Sequence, residues 1–192
     1  MWKLLSSEYL IKRPWLTARK DKLQLPNGKI IPEYYVLEYP DWVNIIAVTK
    51  ENLIVMERQY RHGANSTNYE IPSGIIEKDE TPLEAGQREL LEETGYGGGE
   101  WQKIMILSAN PTMMTNMNHC FLAVGVEKVS DQHLDETECL DVFLKSRDEV
   151  IAMLDNNEMI HPLMVAPLMK YFIDMFFLTE GLSDLRSGEK IE

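Results

Sequence analysis

The chain has 192 residues, with 31 acidic and 19 basic residues and a formal net charge of −12. This length allows one full domain with a modest extension. The negative charge argues against a nucleic acid partner, because a phosphate-rich polymer would be repelled.

We also predict neither secretion nor a membrane span. The N-terminal segment contains no long apolar run followed by a small-residue cleavage site. The most apolar stretch, residues 163–178, is interrupted by a proline and two charged residues, so a packed helix is expected. Cys120 and Cys139 are too few for a disulfide framework. These features favour a protein of the reducing cytoplasm.

In chain order, the first predicted element is an antiparallel hairpin. Residues 23–25 and 29–37 have strand composition and flank Asn27–Gly28, and Asn-Gly between two such runs predicts a tight turn. We therefore expect a small N-terminal antiparallel β-sheet unit over residues 1–40. The main domain is then predicted to cover residues 41–180.

The main domain is predicted to begin with more strands. Residues 42–49 and 53–60 form a second predicted pair around a short turn, and residues 68–71 form a further strand. After a helix described below, strands are predicted at 101–107, 119–126 and 138–144, and helices at 147–154 and 161–178. This order favours a mixed sheet between helices. A polar segment, residues 181–192, is expected to be a loose tail.

The helix that follows the first strands has clear start and stop signals. Thr81, Pro82 and Glu84 form a capping box with proline at the first helical position. Gly95 stands where a left-handed C-terminal cap would place glycine. The sequence therefore predicts a helix of about three turns over residues 82–94.

Three glutamates converge on this helix. At ~100° per residue, Glu89, Glu92 and Glu93 fall within one arc, opposite a predicted face that contains Leu83, Gly86, Leu90 and Leu91. One interpretation is an ordinary solvated face. The other is a site for Mg²⁺ or Mn²⁺, which prefer carboxylate oxygens, with a backbone turn around Ser73 bringing a carbonyl close to the ions.

The segment GIIEKDETPLEAGQRELLEETGY, which begins at Gly74, resembles the signature of the Nudix family. That signature is glycine, five residues, glutamate, seven residues, and then Arg-Glu-apolar-any-Glu-Glu-any-Gly-apolar. All of its fixed positions are present: Gly74, Glu80, Arg88, Glu89, Leu90, Glu92, Glu93, Gly95 and Tyr96. The resemblance implies an α+β fold, the Nudix α/β/α sandwich with a mixed sheet.

The flanking segments are similar to the ADP-ribose pyrophosphatase branch of that family. LIVMERQYRHG from Leu53 and YEIPSG from Tyr69 resemble that branch, as does Pro111, sixteen residues past Gly95. The segment SANPTMMTNMNHC departs from it, because the Pro-Gly-x-Ser-x-Glu pattern of many ADP-ribose hydrolases is missing. The resemblance therefore assigns the substrate less firmly than the family.

The resemblance also implies roles for residues of the glutamate-rich segment. Two or three ions of Mg²⁺ or Mn²⁺ are expected, with Glu89 and Glu93 as principal ligands and the Ser73 carbonyl as a further ligand. Glu92 is either a ligand or a partner of one. Arg88 is expected to orient the glutamates, with a simple surface ion pair as the alternative.

Further roles are implied outside that segment. Glu136 and Glu138, in an acidic loop, match the family's general base or an additional metal ligand, and the sequence does not separate them. Arg61 is expected to hold substrate phosphate, with a solvent-facing arginine as the alternative. The predicted substrate-binding set is completed by Glu70, Arg58 and Pro111.

The predicted function is hydrolysis of the pyrophosphate bond of ADP-ribose or a related nucleoside diphosphate sugar, giving AMP and a sugar phosphate in the first case. One alternative is the same chemistry on NADH, dinucleoside polyphosphates or modified nucleoside triphosphates. A non-enzymatic alternative is a sensor domain that binds nucleotide sugars. The resemblance further implies a homodimer in which the N-terminal unit helps to complete the neighbour's substrate cleft.

Overall fold

A computed structural model describes residues 1–179 of the chain, which form two β-sheets and three α-helices. The predicted tail, residues 181–192, lies outside the described residues, as does residue 180 at the predicted domain end. The small sheet precedes the large one in the chain, in agreement with the predicted order of elements.

The small sheet is antiparallel and has the strand order β1-β2-β3. Its strands are β1 (Lys3–Arg13), β2 (Leu16–Gln24) and β3 (Ile30–Glu38). The predicted hairpin joins β2 and β3, with Gly28 at a φ of +84°, a conformation that favours glycine. Strand β1 was not predicted. Its sequence, KLLSSEYLIKR, lacks the alternation of apolar and polar residues that marks a half-buried strand, and all its residues are exposed.

The large sheet has seven strands and is mixed. They are β4 (Trp42–Thr49), β5 (Ile54–Arg61), β6 (Ser66–Glu70), β7 (Ser73–Ile75), β8 (Tyr96–Leu107), β9 (Asn118–Lys128) and β10 (Leu140–Lys145). The main strand order is β10-β5-β4-β9-β8, with β6 paired to β5 and β7 paired to β4. Strands β4 and β9 are parallel, and the other pairs are antiparallel.

Helices cover both faces of this sheet, so the predicted α/β/α sandwich is confirmed. The helices are α1 (Pro82–Thr94), α2 (Arg147–Asp155) and α3 (Pro162–Thr179). One core cluster joins Ile46 and Met56 of the sheet to residues of α2 and α3. The other joins Ile45 and Val55, on the opposite face, to Leu90 of α1. Among residues 1–179, no helix has both the length and the hydropathy that crossing a membrane requires.

Helix α1 has the predicted bounds and caps. The Glu84 N–H donates to the Thr81 hydroxyl, the Glu84 carboxylate accepts from the Thr81 N–H, and Gly95 is left-handed at a φ of +70°. The predicted division of its faces was right for Gly86 and Leu90, which are buried, and wrong for three other residues. Glu93 is only 5% exposed, whereas Leu83 and Leu91 are 38% and 37% exposed.

The reason for this difference is that small residues face the sheet. At Gly86, an added Cβ would lie 3.3 Å from Val43 of β4 and 3.3 Å from Trp101 of β8. This close approach rotates α1 so that Ala85 and Leu90 enter the core and the glutamate edge turns towards β7. The helix therefore carries its acids against the sheet and not into bulk water.

Candidate active site

Strand β7 brings backbone groups against the acidic edge of α1. It pairs with the start of β4, and the Ile45 N–H donates to the Pro72 carbonyl at 2.9 Å. The Ser73 N–H donates to Glu93 Oε2 at 2.9 Å. Because the donor is a backbone group of a paired strand, the position of the buried Glu93 carboxylate is tied to the sheet.

Gly74 leaves the space that the Glu89 carboxylate occupies. A Cβ atom built on Gly74 would lie 2.0 Å from Glu89 Cδ, 2.0 Å from Oε1 and 2.5 Å from Oε2. Only glycine permits this packing without displacing the carboxylate. The structure therefore gives a physical reason for glycine at this position, namely the close approach of a helix side chain to the β7 backbone.

Arg88 binds several groups around the acids. Its Nε and Nη2 donate to the two oxygens of Glu80 at 2.9 and 3.0 Å, and Nη2 also donates to the Ile75 carbonyl at 3.0 Å. Its Nη1 donates to Glu89 Oε1 at 2.9 Å and to Glu92 Oε2 at 3.2 Å. The hydrogen bonds from Arg88 lower the pKa of Glu80. Arg88 thus orients Glu89 while a bidentate pair holds its own guanidinium.

The structure adds an acid that the sequence analysis missed. Glu57 of β5 is 3% exposed, and its carboxyl group lies close to that of Glu93. Burial and then the nearby charge of Glu70 raise the pKa of Glu57 to about 8. Strand alternation could have indicated this position, because Glu57 lies two residues after Val55, on the face of β5 that packs against α1.

The helix carboxyls titrate abnormally for the same reason. Burial raises the pKa of Glu89 to about 7, although the charge of Arg88 opposes the shift. Burial and then the charge of Glu57 raise the pKa of Glu93 above its ordinary value. Acids buried together are costly unless a cation compensates them.

These residues fit a site for hard divalent cations. Carboxylate oxygens are the ligands that Mg²⁺ and Mn²⁺ prefer, and Gly74 leaves open the space in which the Glu89 carboxylate lies. Glu92 is more exposed and turns towards Arg88. Within residues 1–179, no group of three or more histidine, cysteine, aspartate or glutamate side chains is placed to hold a metal ion. Glu89 and Glu93 instead accept hydrogen bonds from Arg88 and the Ser73 N–H.

In the acidic loop before β10, the structure distinguishes Glu138 from Glu136, which the sequence analysis could not do. Glu138 is half-buried, and its charge raises the pKa of Glu57, Glu89 and Glu93. Its Oε2 accepts from the Asp135 N–H at 3.0 Å. Glu136 is exposed. Glu138 is therefore the loop acid that faces the buried carboxyls.

The predicted substrate-binding residues lie in different places. Arg61 donates two hydrogen bonds to the buried Glu70, at 2.9 Å from Nε and 2.5 Å from Nη2, and His161 lines the same cleft. Arg58 instead pairs with Asp141 of β10 at 2.8 Å, away from this cleft.

Pro111 lies in a turn that contacts the N-terminal sheet. This turn is exposed at Pro111, and two of its backbone carbonyls accept hydrogen bonds from β3. The donors are the Tyr34 hydroxyl, to Thr112, and the Leu37 N–H, to Met113 at 2.7 Å. The turn thus joins the two sheets.

Comparison with known families and proteins identifies both parts of the chain. Residues 2–37 match the family model described as "Nucleoside diphosphate sugar hydrolase N-terminal domain", and residues 39–168 match that of the NUDIX domain. An ADP-ribose pyrophosphatase of Bacillus subtilis is 30% identical over 157 residues, covering 81% of this chain and 84% of the relative.

Two further proteins are similar. A methanol dehydrogenase activator of Bacillus methanolicus is 32% identical over 150 residues, covering 78% of this chain and 80% of the relative. The crystal structure of an ADP compounds hydrolase has a TM-score of 0.80 at 21% identity, covering 94% of this chain and 96% of that chain. This structural likeness confirms the fold.

The raised pKa values predict how stability depends on pH in EDTA. We expect the free energy of unfolding to fall as pH rises from about 5 to about 8. The folded-state pKa values of Glu57 (about 8) and Glu89 (about 7) exceed the ordinary 4.5, so the folded chain retains protons that the unfolded chain has lost. Their stabilising effect is thus complete below the unfolded-state pKa and disappears as pH rises through the folded-state pKa.

Urea unfolding at several pH values measures this dependence. Glu57→Gln should flatten it, because the amide does not titrate, whereas the exposed Glu100→Gln should keep the wild-type slope. A free energy of unfolding that increases with pH over this range in EDTA would contradict the predicted protonation.

Proposed function

This chain belongs to the Nudix hydrolase family, and on that premise we propose that it hydrolyses the pyrophosphate bond of ADP-ribose or a related nucleoside diphosphate sugar. The observation that carries the proposal is the packing of the Glu89 and Glu93 carboxyls against the backbone of Ser73 and Gly74. The match of the N-terminal residues to the nucleoside diphosphate sugar hydrolase model supports this substrate class.

The proposal requires two or three divalent cations, either Mg²⁺ or Mn²⁺. When bound, such ions neutralise diphosphate charge and lower the pKa of a water molecule. Glu89 and Glu93 would hold them, with the Ser73 carbonyl and Glu92 as further candidates. Arg88 fixes the orientation of Glu89, because its own position is held by Glu80.

Glu138 is the better candidate for general base. It is half-buried and lies near the buried carboxyls, whereas Glu136 is exposed. A carboxylate on a loop can approach the attacking water when substrate closes the site. In this role Glu138 removes a proton from the water as the water attacks one phosphorus, and the bridging P–O bond breaks so that the other phosphate leaves.

The cleft at Arg61 is proposed to receive part of the substrate. The bidentate bond to Glu70 fixes the guanidinium, and Nη1 has no hydrogen bond to Glu70, so it is left to contact phosphate. Glu70 therefore positions Arg61, or accepts a bond from a sugar hydroxyl. The ion pair of Arg58 with Asp141 favours a structural role for Arg58.

A substrate panel tests the proposal most directly. The protein is incubated with Mg²⁺ or Mn²⁺ and ADP-ribose, other nucleoside diphosphate sugars, NADH, dinucleoside polyphosphates and nucleoside triphosphates. We expect fastest turnover with a nucleoside diphosphate sugar, and AMP as a product from ADP-ribose. Preference for another member of the panel would favour the other hydrolase activity, and tight binding without turnover would favour a sensor.

Glu93→Gln provides the matched test of mechanism. We expect turnover to fall by at least about 10²-fold, because the amide is a poor ligand for a hard cation. The fold should survive, since glutamine can still accept from the Ser73 N–H. Glu100→Gln, on an exposed strand position, should retain wild-type turnover. Equal turnover in the two variants would contradict the proposed role of Glu93 as a metal ligand.

Gly74→Ala tests the packing of Glu89. The new Cβ would coincide with the carboxylate, so Glu89 must move, although its flexible side chain allows the strand to remain folded. We expect turnover to fall by at least about 10²-fold and the free energy of unfolding to change by less than about 1 kcal/mol. Gly63→Ala is the control, because a Cβ there meets nothing within 4 Å among residues 1–179. Full activity of Gly74→Ala would contradict the proposed geometry.

The proposal includes a homodimer formed through the N-terminal sheet. Strand β1 is an edge strand of 11 residues with every residue exposed. An edge of this length with apolar side chains is a site for pairing with another chain. Its exposed large apolar residues and those beside it are Trp2, Leu4, Leu5, Tyr9, Leu10, Ile11 and Trp15. The contact of β3 with the turn after β8 would connect this interface to the substrate cleft.

Light scattering coupled to size-exclusion chromatography tests the dimer. We expect the wild type to have twice the mass of one chain and Leu10→Glu, in β1, to have the mass of one chain. Val129→Glu places the same charge at another exposed apolar residue and should leave the dimer intact. A wild type with the mass of one chain would contradict this part of the proposal.

A cytoplasmic location completes the proposal. The fold contains two free cysteines, of which Cys120 is buried and Cys139 is exposed. Free thiols are the rule in reducing compartments.

A further inference from the structure

Glu57 lies in the interior, and among the described residues one of its oxygens lacks the donor that a structural carboxylate normally has. It stands opposite Glu70 in the β5–β6 pair, and it is 3% exposed. Its Oε1 has no hydrogen-bond partner among the described residues. Its carboxyl group meets that of Glu93 across the interface between β5 and α1.

The nearby guanidinium groups are engaged elsewhere. Arg61 donates both of its short bonds to Glu70, and Arg88 donates to Glu80, Glu89, Glu92 and the Ile75 carbonyl. In the part of the chain that the structure describes, neither donates a hydrogen bond to Glu57. Glu57 lies near the carboxyls of Glu70, Glu93 and Glu138, and the charge of Arg61 acts on it without a hydrogen bond.

A purely structural role does not explain this position. The neighbouring inward residue of β5 is Val55, which packs in the apolar core, and a similar side chain would fit the next inward position without bringing in a charge. A buried carboxyl normally satisfies both oxygens with donors, as Glu70 does with Arg61. One oxygen of Glu57 is left without a donor and close to a proposed ligand of the metal site.

We propose that Glu57 is a further carboxylate ligand of the divalent metal site, supplied by strand β5 opposite helix α1. The inference rests on the proposed function, because it assumes that cations occupy the site of Glu89 and Glu93. Glu57 and Glu93 would then hold a cation with carboxylate oxygens from strand β5 and helix α1. The unpartnered Oε1 then has a partner, and the repulsion among four buried or half-buried acids is relieved.

Calorimetric titration with Mn²⁺ tests this role without substrate. The proteins are the wild type, Glu57→Gln, Glu57→Asp and the control Glu100→Gln. We expect Glu57→Gln to weaken Mn²⁺ binding by about 10–100-fold, or to remove one ion from the stoichiometry, while the control binds as the wild type does. Glu57→Asp keeps the charge but withdraws the oxygens by one methylene, so it should also bind more weakly.

The outcomes separate the possible explanations. Wild-type affinity in both Glu57 variants would overturn the inference and leave the proposed function intact. Weak binding by Glu57→Gln together with full binding by Glu57→Asp would also overturn it, because Glu57 would then act only through its charge. A wild type that binds no Mn²⁺ would overturn the proposed function itself. If Glu57→Gln fails to fold, Glu57→Asp decides between these outcomes.

Discussion

The site depends on the close approach of helix α1 to strand β7. The Glu89 carboxylate occupies the space that a side chain at position 74 would fill, and the Ser73 N–H holds Glu93. Gly86 permits the same helix to approach β4 and β8 closely. Two glycines therefore bring charged side chains into a position that a helix at ordinary packing distance would not give them. The shifted pKa values and the proposed cation site follow from that position.

Charge balance explains how the surrounding residues are arranged. Arg88 and Arg61 each bind one group of carboxylates, with Glu80 and Glu70 as their bidentate partners. Glu57 and Glu93 lie close to each other, and neither accepts a hydrogen bond from a guanidinium group among residues 1–179. Such an arrangement lowers stability at neutral pH unless a cation enters, which couples the stability of the fold to its proposed function.

Sequence patterns predicted the elements that have local signals. The capping box at Thr81 and the glycine at position 95 correctly predicted the bounds of α1, and Asn27–Gly28 correctly predicted the hairpin between β2 and β3. Patterns failed where tertiary packing decides. The periodicity of α1 predicted an exposed Glu93 and a buried Leu83, whereas the structure has the reverse. Periodicity alone does not show how small residues such as Gly86 rotate the helix against the sheet. Glu57 was missed because the sequence does not show that this single acid of an apolar strand lies close to Glu93 of α1.

A crystal structure with saturating Mg²⁺ and a non-hydrolysable ADP-ribose analogue tests the central claim most directly. The account predicts ions bound by oxygens of Glu89 and Glu93, with the diphosphate of the analogue next to them. Density in which those carboxylates keep their contacts with Arg88 and the Ser73 N–H, with the analogue bound and no ion beside them, would contradict the account.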